Sequence, residues 1–222
     1  MANNMMMNRR MLIVGASSLA LAGCGGLGLG PTDANNTIYV LQPTLQPAPQ
    51  GGTPVDWALA VDLPTALDSV EGRRITLIKP DGTMDYYANA QLPDRVPVLV
   101  QTALISGFQS SGRVPSVGRI QDALHADYEL GVEVRDFSAH YDTQDKDGRP
   151  GGVPKIMVSL ICQMSTSRGR KIVANFSATQ SVNATENSTG AVVKAMSAAL
   201  TAAVQQIVGW ALTMGPPPSA TP

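Results

Sequence analysis

The C-terminal stretch 188–214 most narrows what this chain can fold into. Val192, Ala195, Met196, Ala199, Leu200, Ala203, Val204, Ile207, Val208, Ala211 and Leu212 recur at spacings of three and four. That period predicts one long helix with a broad apolar stripe. Such a helix is roughly 39 Å long, and its stripe needs an apolar surface of similar extent. Lys194, Gln205 and Gln206 argue against a membrane span, and the many alanines permit close approach to a sheet or another helix.

Strand patterns upstream supply that surface. Residues 37–42 read as a first strand, stopped by Pro43, and 56–62 as a second. Residues 73–79 alternate polar and apolar, as a half-buried strand does. The turn signal Pro80-Asp81-Gly82 then leads into 84–88, so this pair reads as a hairpin. A helix follows Pro93, with Asp94 as its N-cap, Pro97 in its first turn and Gly112 at its end. Val96, Leu99, Val100, Ala103, Leu104 and Phe108 define its apolar face. Three longer strands, about 126–141, 153–166 and 170–182, are joined by polar loops and form an antiparallel meander. The expected fold class is α+β: a single domain over 37–214 with an antiparallel-rich sheet covered by two long helices. A Pro-rich tail occupies 215–222.

The N-terminus carries a different signal. Arg9 and Arg10 precede an apolar run over 11–22, and small residues surround Cys24. This is the layout of a secretory signal over 1–23. The run is far shorter than the about 20 residues a spanning helix needs. Leu21-Ala22-Gly23-Cys24 resembles the bacterial lipobox, whose cysteine is acylated, with chains such as palmitate, and becomes the first residue after cleavage. The paired arginines also resemble a twin-arginine signal, and Met5, Met6 or Met7 are alternative starts. Two or three acyl chains attach a protein far more firmly than one. Residues 24–36, rich in Gly and Asn, then read as a lipidated tether. Gly25 is not Asp, which in the enteric sorting rule implies the outer membrane, with the body in the periplasm.

Sixteen Lys and Arg against 17 Asp and Glu leave no basic surface for nucleic acid. Once Cys24 is acylated, Cys162 is the one remaining cysteine, and its strand-like surroundings predict a buried, inert thiol. Asp145, Asp147 and Gly148 give half of a calcium loop, but Pro154 falls where the bidentate Glu belongs. His125 and His140 are isolated histidines and read as structural or surface residues rather than metal ligands. Nucleophile-elbow, zincin and phosphate-loop motifs are missing from the sequence. No catalytic residue, metal ligand or cofactor is therefore assigned. Tyr86 and Tyr87 offer either anchors for a partner or packing beneath a helix.

Several stretches in order resemble the ABC-type transport auxiliary lipoprotein family. They are the lipobox, residues 38–43, 57–66, Arg74-Ile75 and 86–101, then Leu104 and Phe108. Residues 126–130, Arg135-Asp136-Phe137 and the closing helix through Trp210 complete the series. One departure is Leu92, near which the family usually has Trp. The resemblance implies a non-catalytic periplasmic component held at the outer membrane. It would accompany an ABC permease, its ATPase and an MCE-domain (mammalian cell entry) protein that move phospholipids or other hydrophobic molecules. It also favours a homo-oligomer. A second class shares the anchor and an α+β body: an envelope assembly lipoprotein serving a secretion pore or a lipopolysaccharide-export barrel.

Overall fold

The computed structural model describes residues 36–45, 52–122 and 125–216. The signal segment, Cys24 and most of the tether lie outside the described residues. In chain order the strands are β1 (Thr37–Ile38), β2 (Leu59–Val61), β3 (Thr65–Ala66), β4 (Arg74–Ile78), β5 (Met84–Gln91) and β6 (Val117–Arg119). They continue as β7 (Tyr128–His140), β8 (Thr143–Gln144), β9 (Pro150–Gly151), β10 (Lys155–Thr166) and β11 (Ile172–Asn183). The helices are α1 (Asp68–Glu71), α2 (Val96–Ser111) and α3 (Thr189–Ala211).

The main sheet runs β1-β5-β4-β7-β10-β11. β7, β10 and β11 form the antiparallel meander. The sheet is mixed, because β2, β3 and β4 follow one another along the other side of β7, all parallel to it. β1 also pairs parallel with β5. Alternation along β10 turns Ile156, Val158, Leu160, Cys162 and Met164 inward, each fully buried. Opposite them, α3 presents Met196, Ala199, Leu200, Ala203, Val204 and Ile207, again almost wholly buried. α2 adds Val100, Leu104 and Phe108 to the same core. Two register shifts interrupt the meander, one between Met164 and Ser165 against β11 and one between Ser159 and Leu160 against β7. Ser159 faces Asp136 but Leu160 faces Val134, so Arg135 is the extra residue of a bulge.

The helix ends have local causes. The Ser188 hydroxyl caps α3 by accepting from the Ala191 N–H at 3.2 Å. α2 differs from expectation: its N-cap is Arg95, not Asp94, and no side chain caps it. Asp94 accepts only the adjacent Arg95 N–H, at 2.7 Å. Pro97 sits at the second helical position, where it removes an N–H that a capping oxygen would bind. Gly112 closes α2 in the left-handed region at φ 63°. The first two strands are shorter than 37–42 and 56–62. After Tyr39, whose N–H still bonds Gln91 O, the chain leaves the sheet to lie along α3, and the ladder of β2 covers only Leu59–Val61.

The two long helices touch at Gly107, where an added Cβ would lie 2.5 Å from Val204 Cγ1. Gly107→Ala is expected to push α2 off α3 and destabilise the fold by about 1–3 kcal/mol. Gly209, exposed on α3 with open space around it, is the control. Gly209→Ala should stabilise by about 0.5–1 kcal/mol. Thermal melts of the two variants distinguish close packing from helix propensity.

Burial pushes the Cys162 thiol up to about 12 from an ordinary 9.0. Below pH 9.0 both folded and unfolded chains keep this proton. Between pH 9.0 and about 12 only the unfolded chain releases it, so the thiol makes stability fall as pH rises through that window. Alkylation near neutral pH should spare Cys162 in the folded chain and modify it after denaturation. Rapid labelling of the folded chain would show that β10 is accessible.

Candidate functional site

One polar cluster deserves a chemical test first. The two-residue period of β7 places Asp136, Ser138 and His140 on one face of the sheet, opposite the helices. His140 Nε2 lies 2.9 Å from Asp136 Oδ2 and 3.1 Å from Ser138 Oγ. Ser138 Oγ also donates to Asp136 Oδ1. A nucleophilic relay needs the acid and the hydroxyl on different ring nitrogens, so that one orients the imidazole while the other gives up its proton. Here both meet Nε2. Ser138 is 2% exposed, which leaves a substrate no approach to its oxygen. The cluster is therefore a structural polar knot. It also shows that His140 has partners at strand spacing; the signal was the D-x-S-x-H pattern read on an alternating strand.

The other candidates are committed to local structure. Asp145 Oδ1 accepts the backbone N–H groups of Asp147 and Arg149, closing the tip of the small β8–β9 hairpin. Among the described residues no group of three or more His, Cys, Asp or Glu is placed to hold a metal. His125 is exposed on a loop.

Tyr86 and Tyr87 lie on opposite faces of β5. The Tyr87 hydroxyl is 2.7 Å from that of Tyr141, which donates to Asn187 Oδ1 at 2.6 Å. Burial, then the bond to Tyr141, raises the Tyr87 phenol above its ordinary value. Tyr87 thus joins the sheet to the turn that precedes α3. Tyr86 is half-buried on the other face, with the Arg74 guanidinium 3.6 Å from its ring centre. Lys79 and Asp85, at the turn end of the β4–β5 pair, form an ion pair at 2.9 Å. Of the two tyrosines, Tyr86 alone presents its ring to that outer face.

The segment after β1 acts as a strap. Leu41 enters the core. Gln42 and Thr44 donate their N–H groups to Ser197 Oγ and Thr201 Oγ1, each at 3.1 Å. Each hydroxyl also donates to a carbonyl one turn back in α3, Val193 or Ser197. The helix thereby offers the strap two acceptors one turn apart without leaving a buried hydroxyl unpaired. A groove of about 700 Å³ runs beside the strap, lined by Tyr39, Val40, Gln42, Lys194, Ala198 and Gln205 among others. At the far end, Trp57 Nε1 donates to Met214 O and the Tyr128 hydroxyl to Gly215 O, at 3.2 and 3.0 Å. The two rings meet edge to face at 5.4 Å. Both ends of the folded body are thus pinned to α3 or to the residues that follow it.

Residues 39–208 match the family described as ABC-type transport auxiliary lipoprotein component. A solved structure, the DUF330-family protein XCC0632 of Xanthomonas campestris, is similar with a TM-score of 0.71 and 26% identity; the match covers 80% of this chain and 95% of that one. A second solved protein, described only as uncharacterized, shares the fold at a TM-score of 0.61 and 12% identity, over 80% and 99% of the two chains. The uncharacterized protein bll6063 of Bradyrhizobium diazoefficiens is 26% identical over 190 residues, which is 86% of this chain but 48% of that protein. The chain therefore spans about half the length of that relative. A family match that runs from the strap into the last turn of the long helix covers nearly all of the folded core, and the protein belongs to the ABC-type transport auxiliary lipoprotein component family.

Proposed function

We propose that the protein is a non-catalytic component of an MCE-type ABC transport system for phospholipids or similar hydrophobic molecules. Cys24 carries the lipid that holds it at the outer membrane, and the α+β body works in the periplasm. The observation that carries this reading is the family match over 39–208. Physical features support it. The thirteen residues 24–36 reach at most about 45 Å when extended. The strap then passes any pull on the anchor into α3 through Ser197 and Thr201. The Asp136–Ser138–His140 knot lacks a relay geometry, in keeping with a role in connecting partners. Energy comes from the ATPase, through the permease and the MCE-domain protein. Tyr86, stacked under Arg74, is a candidate contact for such a partner, whereas Tyr87 is occupied by its bond to Tyr141.

Metabolic fatty-acid labelling should mark the wild type and not Cys24→Ser. Cross-linking in cells followed by mass spectrometry should recover an MCE-domain protein or a permease component. Consistent recovery of a secretin or an export barrel, without either of those, would replace this reading with an envelope-assembly role.

A further inference from the structure

We propose that the groove between the strap and α3 is a phospholipid site. It takes one acyl chain along its apolar walls and sets the lipid phosphate beside Lys194. The site rests on the transport reading for its cargo and on the fold for its shape.

The strap supplies Tyr39, Val40 and Gln42 to the groove, and α3 supplies Lys194, Ala198 and Ala202. Val40 is 57% exposed, and Ala198 is exposed on the facing helix. Water therefore meets apolar atoms on both walls, and a hydrocarbon chain laid between them would remove that contact. The volume of about 700 Å³ lies within the range of about 300–1,000 Å³ usual for small-molecule sites. Its length also fits. From Gly190 to Gln205 the groove follows α3 for about 22 Å, at about 1.5 Å per residue. One acyl chain spans about 15 Å, half of the hydrocarbon core of a bilayer. The remainder leaves room for a head group.

The polar groups of the floor favour a hydrocarbon over a peptide. The Ser197 and Thr201 hydroxyls already accept from the strap and donate to carbonyls of α3. An extended peptide in the groove would bury its own N–H and C=O groups against walls that offer no ladder, which is unfavourable. An acyl chain brings no such groups.

Charge selects the head group. Lys194 is the one charged residue among those that line the groove, and it forms no ion pair among the described residues. Glu186, just before the helix, is engaged by the Ser188 hydroxyl at 2.8 Å. A lone cation at one end of an apolar channel complements a phosphate joined to a chain. The acyl chains expected on Cys24 carry no phosphate, so the occupant assigned is a separate phospholipid and not the protein's own lipid.

The test is photo-cross-linking of the full chain in host cells that lack their own copy. The probe is p-benzoylphenylalanine replacing Ala198 or Gln205, both exposed and both on the groove. The same probe replacing Gly209, exposed on α3 outside the groove, is the control. Mass spectrometry identifies the adduct. A phospholipid adduct is expected at Ala198 or Gln205, and none above background at Gly209. Lys194→Glu should cut the adduct by about ten-fold and leave the melting temperature unchanged, because Lys194 is exposed. Lys194→Arg should keep it. No phospholipid adduct at either groove position overturns the proposal. So does a protein or the chain's own acyl groups captured in its place, equal capture at Gly209, or an adduct that Lys194→Glu leaves unchanged. Recovery of an MCE-domain protein in cells without a phospholipid on this groove would remove the site and leave the transport reading standing.

Discussion

Everything in this molecule depends on the burial of α3 against the inner face of β7, β10 and β11. The five inward residues of β10 meet the alanine-rich stripe of α3 with no exposed remainder. A fully buried Leu, Val, Ile or Met contributes about 1.5–3 kcal/mol, so this interface outweighs any surface ion pair, each worth about 0–1 kcal/mol. The alanines let the helix sit low on the sheet, and Gly107 lets α2 sit low on α3. That closeness leaves the side of α3 that carries Ser197 and Thr201 to receive the strap. At the other end the residues just beyond α3 are held by Trp57 and Tyr128.

In this scaffold, among the described residues, no carboxylate or histidine is buried, and Asp145 and Asp136 are held in local hydrogen bonds. Its inner face is committed to α3. What remains for partners is the outer face of the sheet, with the Ser159–Thr179 and Gln163–Asn175 side-chain pairs, together with the sheet edges. The Arg74–Tyr86 stack marks one end of that face and β11 the other.

Elements with strong periodicity were legible in the sequence. α3, the three long strands and the hairpin around Gly82 all fall within a few residues of their expected places. Each is set by local pattern: a 3.6-residue stripe, a two-residue alternation, or a turn that needs φ 81°. The parallel pairings of β2, β3 and β4 were not legible. Segments of two to five residues carry too little alternation to state a direction, and only β7 decides where they lie. The Asp94 cap failed because Pro97 removed its partner. The strap has the sequence of a strand because its backbone is extended, but its hydrogen-bond partners are hydroxyls on a helix some 155 residues away. For the same reason Tyr86 and Tyr87, adjacent in sequence, could not be separated until Tyr141 and Arg74 were placed around them.

The central claim is that this auxiliary lipoprotein works by connection and performs no reaction. The most direct test is phospholipid exchange between the inner and outer membranes of its host, lacking its own copy and complemented with the Asp136→Asn, His140→Ala double variant. Those residues form the one constellation in the described structure that resembles catalytic machinery. The account predicts exchange at the wild-type rate. Loss of exchange by a variant that accumulates and melts like the wild type would contradict it.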